Sequence, residues 1–96
     1  MKNPLPDVRV AIPPALRPLC GNRGELWIAA HDVRGVLAEI ARIHPEVHVR
    51  ICDEQGEPRP HINVFVNHDH VRLRDGLTTV LTVGDLVTIL PAVSGG

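Results

Sequence analysis

Val8-Arg9-Val10-Ala11-Ile12, near the beginning of the sequence, alternates with the two-residue period of a β-strand and places Val8, Val10 and Ile12 on one face. Leu86–Leu90, near the other end, is a second apolar run that predicts a strand. Because both runs carry this apolar pattern, we expect the first and last strands to lie side by side at the centre of one sheet.

The period changes after Asp32, a residue type that often caps the start of a helix. Apolar residues then recur three and four positions apart, which predicts one amphipathic helix of about twelve residues; they are Val33, Val36, Leu37, Ile40 and Ile43. Pro45 is expected to stop this helix, because the residue before a proline disfavours the helical conformation. It is the only helix for which we find a complete amphipathic pattern. His48–Cys52 fits either a short strand or a helical turn.

Two further strands are predicted between these elements. Glu25–Ala30 is a short strand and the expected antiparallel neighbour of the first, and Ile62–Val66 alternates again before a turn at residues 67–70. The later segment 77–83 is expected to be a partly irregular crossing connection, with Val80 and Leu81 packed beneath it.

One helix on one mixed sheet of four to five strands is a two-layer α+β architecture. With the first and last strands at its centre, the arrangement is a β-grasp. We expect residues 1–92 to form this domain and residues 93–96 to form a flexible C-terminal tail.

Composition excludes several classes of protein. The 96 residues carry 10 basic and 11 acidic side chains, with one Trp, one Phe and no Tyr, so neither charge nor aromatic content fits a nucleic-acid binder. No apolar run is long enough to span a membrane, and no secretory signal precedes residue 8. Cys20 and Cys52 have neither disulfide nor metal spacing, and we expect unpaired thiols in a cytoplasmic protein.

Gly95-Gly96, the last residues of the sequence, are the feature that suggests a chemical reaction. Glycine has no Cβ, so such a tail fits a narrow channel and leaves its carboxylate open to attack. A carboxylate reacts only after its oxygen becomes a good leaving group, as in an acyl-adenylate. The sequence contains no phosphate-binding glycine loop, so we expect activation by a partner enzyme.

Gly84-Asp85 and the segment Val87–Gly96 resemble the C-terminus of the MoaD/ThiS family of ubiquitin-like sulfur carriers. Ile62–Arg72 is similar to the middle strand of that family, and the helix after Asp32 lies where the family has its helix. Residues 12–18, with Ile-Pro and then Leu-Arg-Pro, are similar to the branch associated with cysteine biosynthesis.

The resemblance implies a ubiquitin-like carrier that is not an enzyme and binds no cofactor. A ThiF/MoeB-type adenylyltransferase would activate Gly96 with ATP and magnesium, and sulfur would replace the adenylate as a thiocarboxylate. A cysteine-synthase-like or other synthase would accept the sulfur, and a metalloprotease is a further partner that would trim the tail. Val93, Ser94 and Gly95 would form the rest of the tail. The alternative is a ubiquitin-like modifier that is joined through Gly96 to lysines of other proteins. The sequence does not separate the carrier from the modifier, because both functions begin with adenylation.

Strand period also predicts a docking surface. Leu86 and Leu90 share the less buried face of the last strand with a threonine, and Phe65 lies on the asparagine-bearing face of its own strand. An aromatic side chain and leucines beside a reactive tail predict a patch that binds a partner. His68 and His70 are interpreted as solvated turn residues rather than metal ligands. A monomer is expected, because the tail must be freely presented.

Overall fold

The first strand, β1 (Asp7–Ala11), pairs in parallel with the last, β5 (Leu86–Pro91), at the centre of a five-stranded mixed sheet. The structure is a computed structural model and describes residues 4–92. In the register Val10 lies opposite Val87, so the apolar faces of the two strands are aligned. The predicted central pairing is therefore confirmed.

Antiparallel strands flank this central pair. On one side β2 (Glu25–Ala29) pairs with β1, as predicted. On the other side β3 (Ile62–Val66) pairs with β5, and the two-residue β4 (Asp69–His70) closes the sheet within the predicted turn. The order across the sheet is β2-β1-β5-β3-β4.

The main helix, α1 (Val33–Ile43), begins at the predicted cap. The Asp32 carboxylate accepts a hydrogen bond from the Gly35 N–H at 2.8 Å, which satisfies one of the free donors at the helix start. Short 3₁₀ segments occupy Pro14–Cys20, Val71–Leu73 and Gly76–Thr78. None of the helices within residues 4–92 is long and apolar enough to cross a membrane.

The first helix ends at Ile43, so the predicted stop before Pro45 is confirmed. Pro45 also begins a second helix, α2 (Pro45–Ile51), because proline at the first helical position has a favourable φ and needs no hydrogen-bond partner for its nitrogen. Of the two alternatives left open for the segment that starts at His48, the helical one is therefore correct. One local expectation is wrong, because Val80 is exposed rather than packed. Its neighbour Thr79 is buried instead, where its hydroxyl donates to the Gly76 carbonyl at 2.7 Å.

The core is aliphatic, as the near absence of aromatic residues predicts. Its largest fully buried side chains are isoleucines at positions 12, 40, 51 and 89. Each such side chain contributes about 1.5–3 kcal/mol on burial. The helices thus cover one face of the sheet, called here the inner face, and within residues 4–92 no helix covers the opposite, outer face.

A hydrogen-bonded clamp joins the turn after β3 to the start of β5. The Asn67 Nδ2 donates to Asp85 Oδ1 at 3.1 Å, and the Leu86 N–H donates to Asn67 Oδ1 at 3.0 Å. The other oxygen of Asp85 accepts from the Thr82 N–H at 2.9 Å. Burial raises the pKa of Asp85, but the hydrogen bonds from Thr82 and Asn67 outweigh it and hold the pKa below its usual value.

We expect Asp85→Asn to destabilise the protein at neutral pH by about 1 kcal/mol, since the clamp loses an acceptor. A carboxyl group whose pKa is lowered on folding stabilises above its unfolded pKa of about 3.9, and that stability is lost as the pH falls through the folded pKa. The difference between wild type and variant should therefore shrink below about pH 4. Urea unfolding across this range, followed by Trp27 fluorescence, measures it.

Asp69→Asn is the matched control, because this exposed carboxylate makes no hydrogen bond among residues 4–92. The clamp has no such role if the two variants show the same pH dependence.

Candidate functional site

The chain leaves the sheet at the end of β5, its central strand. Pro91 is paired with Ile62, and the Ala92 N–H donates to the carbonyl of His61, so the last described residues are still tied to β3. The predicted tail (Val93, Ser94, Gly95 and the modified Gly96) lies outside the described residues. Its role therefore stays a prediction, but its point of attachment is a hydrogen-bonded strand end.

The outer face of β5 carries Leu86, Thr88 and Leu90, as the alternation predicted. Leu90 is 42% exposed, and Leu86 and Thr88 are half-buried. Val87 and Ile89 point the other way and are buried. The end of β5 therefore presents apolar surface beside the attachment point of the tail.

Phe65 is the aromatic member of this surface. It lies opposite Thr88 in the β3–β5 register, so Leu86 and Leu90 are its diagonal neighbours, typically about 7–8 Å away. The structure thus brings together the three predicted docking residues, and we call Phe65, Leu86 and Leu90 the docking patch. Phe65 is half-buried rather than fully exposed, because the ring of His70 packs edge-on against it at a centroid distance of 5.2 Å.

His70 is held in place by both of its ring nitrogens. Its Nδ1 accepts from the Arg72 N–H at 3.1 Å, which leaves the proton of the neutral ring on Nε2, where it donates to Asn63 Oδ1 at 3.0 Å. His68, at the turn, is exposed. Within residues 4–92 no three histidine, cysteine or acidic side chains lie close enough together to hold a metal ion.

Trp27 is a surface residue that the sequence analysis missed. It lies on the outer face of β2, opposite Arg9, and is 66% exposed. The signal was present in the sequence, since the alternation that buries Leu26 and Ile28 puts Trp27 on the same face as Glu25. Arg9 forms an ion pair with Glu25 at 3.6 Å, so the charges on this part of the face compensate each other.

A groove of about 200 Å³ lies beside the end of β5 and was also missed. Its apolar walls come from Pro13, Leu16 and Pro91, and Arg50 and His61 supply polar groups. Residues from four separate parts of the chain meet here, so no local pattern could have indicated it. The groove lies next to Pro91, at the end of β5.

The two cysteines are buried and unpaired, as predicted. The Cys20 Sγ lies 3.5 Å from the Arg17 carbonyl within its own turn. Burial raises the pKa of Cys52 to about 11, with the negative charges of Asp53 and Glu57 adding to the effect. A thiol with so high a pKa is protonated at neutral pH and is a poor nucleophile.

Comparison with known proteins points to one family. The family model described as the ThiS family matches residues 16–96. The sulfur carrier protein CysO of Mycobacterium tuberculosis is 34% identical over 92 residues, which cover 94% of this chain and 99% of the relative. Its crystal structure superposes with a TM-score of 0.81, at 33% identity and with 90% of this chain and 99% of that chain covered.

Two further relatives are informative. A crystal structure of a BexX/CysO complex from Amycolatopsis orientalis contains a chain that is 34% identical and superposes with a TM-score of 0.83, covering 93% of this chain and 99% of that one. Small archaeal modifier protein 3 of Haloferax volcanii is 46% identical over 82 residues, covering 83% of this chain and 88% of the relative. The ubiquitin-like β-grasp fold is thereby confirmed.

We expect His70→Ala to lower the free energy of unfolding by about 1–2 kcal/mol, because it removes two hydrogen bonds and the ring that covers Phe65. His68→Ala, two residues away at an exposed position, should change it by less than about 0.5 kcal/mol. Urea unfolding of both variants makes the comparison. Equal effects would show that His70 does not support the docking patch.

Proposed function

The chain belongs to the ThiS/MoaD family of ubiquitin-like sulfur carriers, and on that premise we propose that it carries sulfur as a C-terminal thiocarboxylate on Gly96. The single observation that most supports this is the extent of the family match, which runs to residue 96 and so includes the diglycine. The M. tuberculosis relative is itself named a sulfur carrier protein.

The proposed chemistry takes place in two steps on the carboxylate of Gly96. One carboxylate oxygen attacks the α-phosphate of ATP, and pyrophosphate leaves to give an acyl-adenylate. A sulfur nucleophile then attacks the acyl carbon and AMP departs with the original oxygen, so a C–S bond replaces a C–O bond. ATP and magnesium are bound by the ThiF/MoeB-type activating enzyme, and we assign no catalytic step to this chain.

The geometry of the sheet supports a role in presenting the tail. β5 is held by β1 on one side and β3 on the other, and the last described backbone donor, the Ala92 N–H, is still hydrogen-bonded. The tail is therefore attached to a hydrogen-bonded strand end, so an enzyme that binds the outer face finds this attachment point in a defined position. Holding a reacting group in place in this way lowers the entropic part of the barrier.

We assign binding of the activating enzyme to the docking patch of Phe65, Leu86 and Leu90. These side chains lie on the strand that leads into the tail and on its neighbour, and they form apolar surface that is flanked by Arg9 opposite Leu86 and Asn63 opposite Leu90. A cluster of aromatic and aliphatic anchors of this kind is typical of the centre of a protein interface.

The sulfur acceptor we propose is a synthase, with a cysteine-synthase-like enzyme as the leading candidate. CysO-type relatives cover nearly the whole chain, and one of them occurs in a complex with a partner named BexX. A metalloprotease that trims the tail to expose Gly96 fits the same scheme. We place these reactions in the cytoplasm.

Conjugation through Gly96 to lysines of other proteins is the second candidate function. A specific observation favours it: the H. volcanii relative, 46% identical, is named a modifier protein. Both functions begin with adenylation, so the carrier and the modifier differ only in the nucleophile that attacks the acyl carbon.

Intact mass spectrometry separates the two functions. After incubation with the cognate activating enzyme, ATP, magnesium and a sulfur donor, we expect a mass gain equal to the exchange of one oxygen for sulfur. High-mass conjugates would indicate the modifier. A variant without Gly95 and Gly96 is the control and should fold normally but stay unmodified; the proposal fails if it is modified like the wild type.

Truncation of the docking patch should weaken recognition by the activating enzyme. We expect Leu90→Ala and Phe65→Ala each to raise the KM for adenylation by roughly 5–30-fold, corresponding to about 1–2 kcal/mol per anchor, with kcat little changed. Val49→Ala, which truncates an exposed side chain on α2 away from the sheet, is the matched control and should leave KM unchanged. An equal KM for all three variants contradicts the assignment.

A further inference from the structure

The edge of the sheet formed by β2 carries unpaired backbone groups. The Arg9 N–H donates to Asp85 on the β5 side of β1, so Arg9 does not hydrogen-bond to Trp27, which lies opposite it on β2. In an antiparallel pair the hydrogen-bonded and non-hydrogen-bonded positions alternate. The N–H and C=O groups of Glu25, Trp27 and Ala29 therefore point away from β1, toward the outside of the sheet.

Nothing within residues 4–92 pairs with this edge. The only strand bonded to β2 is β1, and no described turn or loop hydrogen bond uses the outward groups of Glu25, Trp27 or Ala29. Helix α1 does not cover the edge either, because an open groove of about 450 Å³ lies between the helix and the end of β2. Such an edge is a ready template for another strand.

We propose that the β2 edge pairs antiparallel with the β2 edge of a second copy of this chain, in the register that places Trp27 opposite Trp27 of the other copy. The argument is self-complementarity, because Trp27 is the central residue of the five-residue strand. Each outward N–H then meets an outward C=O, with Glu25 opposite Ala29 of the other copy. This inference is independent of the proposed sulfur chemistry.

The side chains favour this register over its alternatives. The two Trp27 rings lie on the same outer face with their Cβ atoms about 5 Å apart, within reach of each other for stacking. Glu25 faces an alanine, whereas a register shifted to centre on Glu25 would place two carboxylates opposite each other. A shift by one residue would instead set the outward N–H and C=O of Trp27 opposite a residue of the other copy whose own groups point back to β1, so these hydrogen bonds would be lost.

The pairing leaves the tail accessible. β5 lies two strands from β2 in the sheet, about 10 Å away, so the docking patch and the attachment point of the tail are outside the paired edge. A five-residue edge forms a small interface, and small interfaces bind weakly. We therefore expect a dissociation constant on the order of tens of micromolar or weaker. This weak dimer differs from the monomer that the sequence led us to expect.

Sedimentation equilibrium of the full chain over a wide concentration range tests the proposal. Wild type should rise from monomer to dimer mass. Ala29→Pro should remain monomeric, because it removes an outward N–H without disturbing the β1 ladder, and proline is tolerated at such edge positions. Ala29→Val is the matched control, since it keeps the N–H, and should dimerise like wild type.

A second measurement needs no variant. Trp27 is the only tryptophan and the chain has no tyrosine, so its fluorescence reports directly on this edge and should shift to the blue as the dimer forms. Amide exchange of Trp27 and Ala29 should slow over the same concentration range. The proposal is wrong if wild type stays monomeric at millimolar concentration, if Ala29→Pro dimerises equally, or if these amides are protected only when a different protein is added.

Discussion

The parallel pairing of β1 with β5 is the constraint on which the rest of this structure depends. It joins the first and last strands of the sheet, and its register places the buried faces of both strands in one hydrophobic core. A slip of one residue would turn the apolar side chains of a strand to the wrong face, so burial specifies this register strongly. β2 and β3 then add on either side, and the tail leaves from a strand that is bonded on both edges.

The chain has only two large aromatic side chains, and their placement distinguishes the outer face of the sheet from the core. With an aliphatic interior, both large aromatic side chains lie on the side of the sheet away from α1. They differ in their surroundings, because Phe65, on the strand next to the central one, is covered along one edge by His70, whereas Trp27 is exposed on an edge strand. The two aromatic side chains therefore belong to different surfaces, one beside the strand that leads into the tail and one at the edge of the sheet.

The sequence predicted those features that depend on local period. Alternation placed Val8, Val10 and Ile12 in the core, and helical spacing with the Asp32 cap located the start of α1. Family resemblance added the fold and the carrier role, which the comparisons confirm at the level of the family. The second helix was predicted only as one of two alternatives for residues 48–52, because seven residues are too few to show a clear amphipathic pattern, and because a proline such as Pro45 is compatible both with the end of one helix and with the first residue of the next.

By itself the sequence determined the aliphatic core, the principal strands and helix, and the face on which Phe65 and Leu90 lie, because side-chain direction follows from the local period of the backbone. Only the tertiary structure decided that His70 covers Phe65, that a groove forms beside the end of β5, and that no strand of residues 4–92 pairs with the outer edge of β2. These features depend on strand order and on contacts between distant segments. A strand carries the same alternation at the centre of a sheet as at its edge, so its free backbone groups become evident only once its neighbours are known.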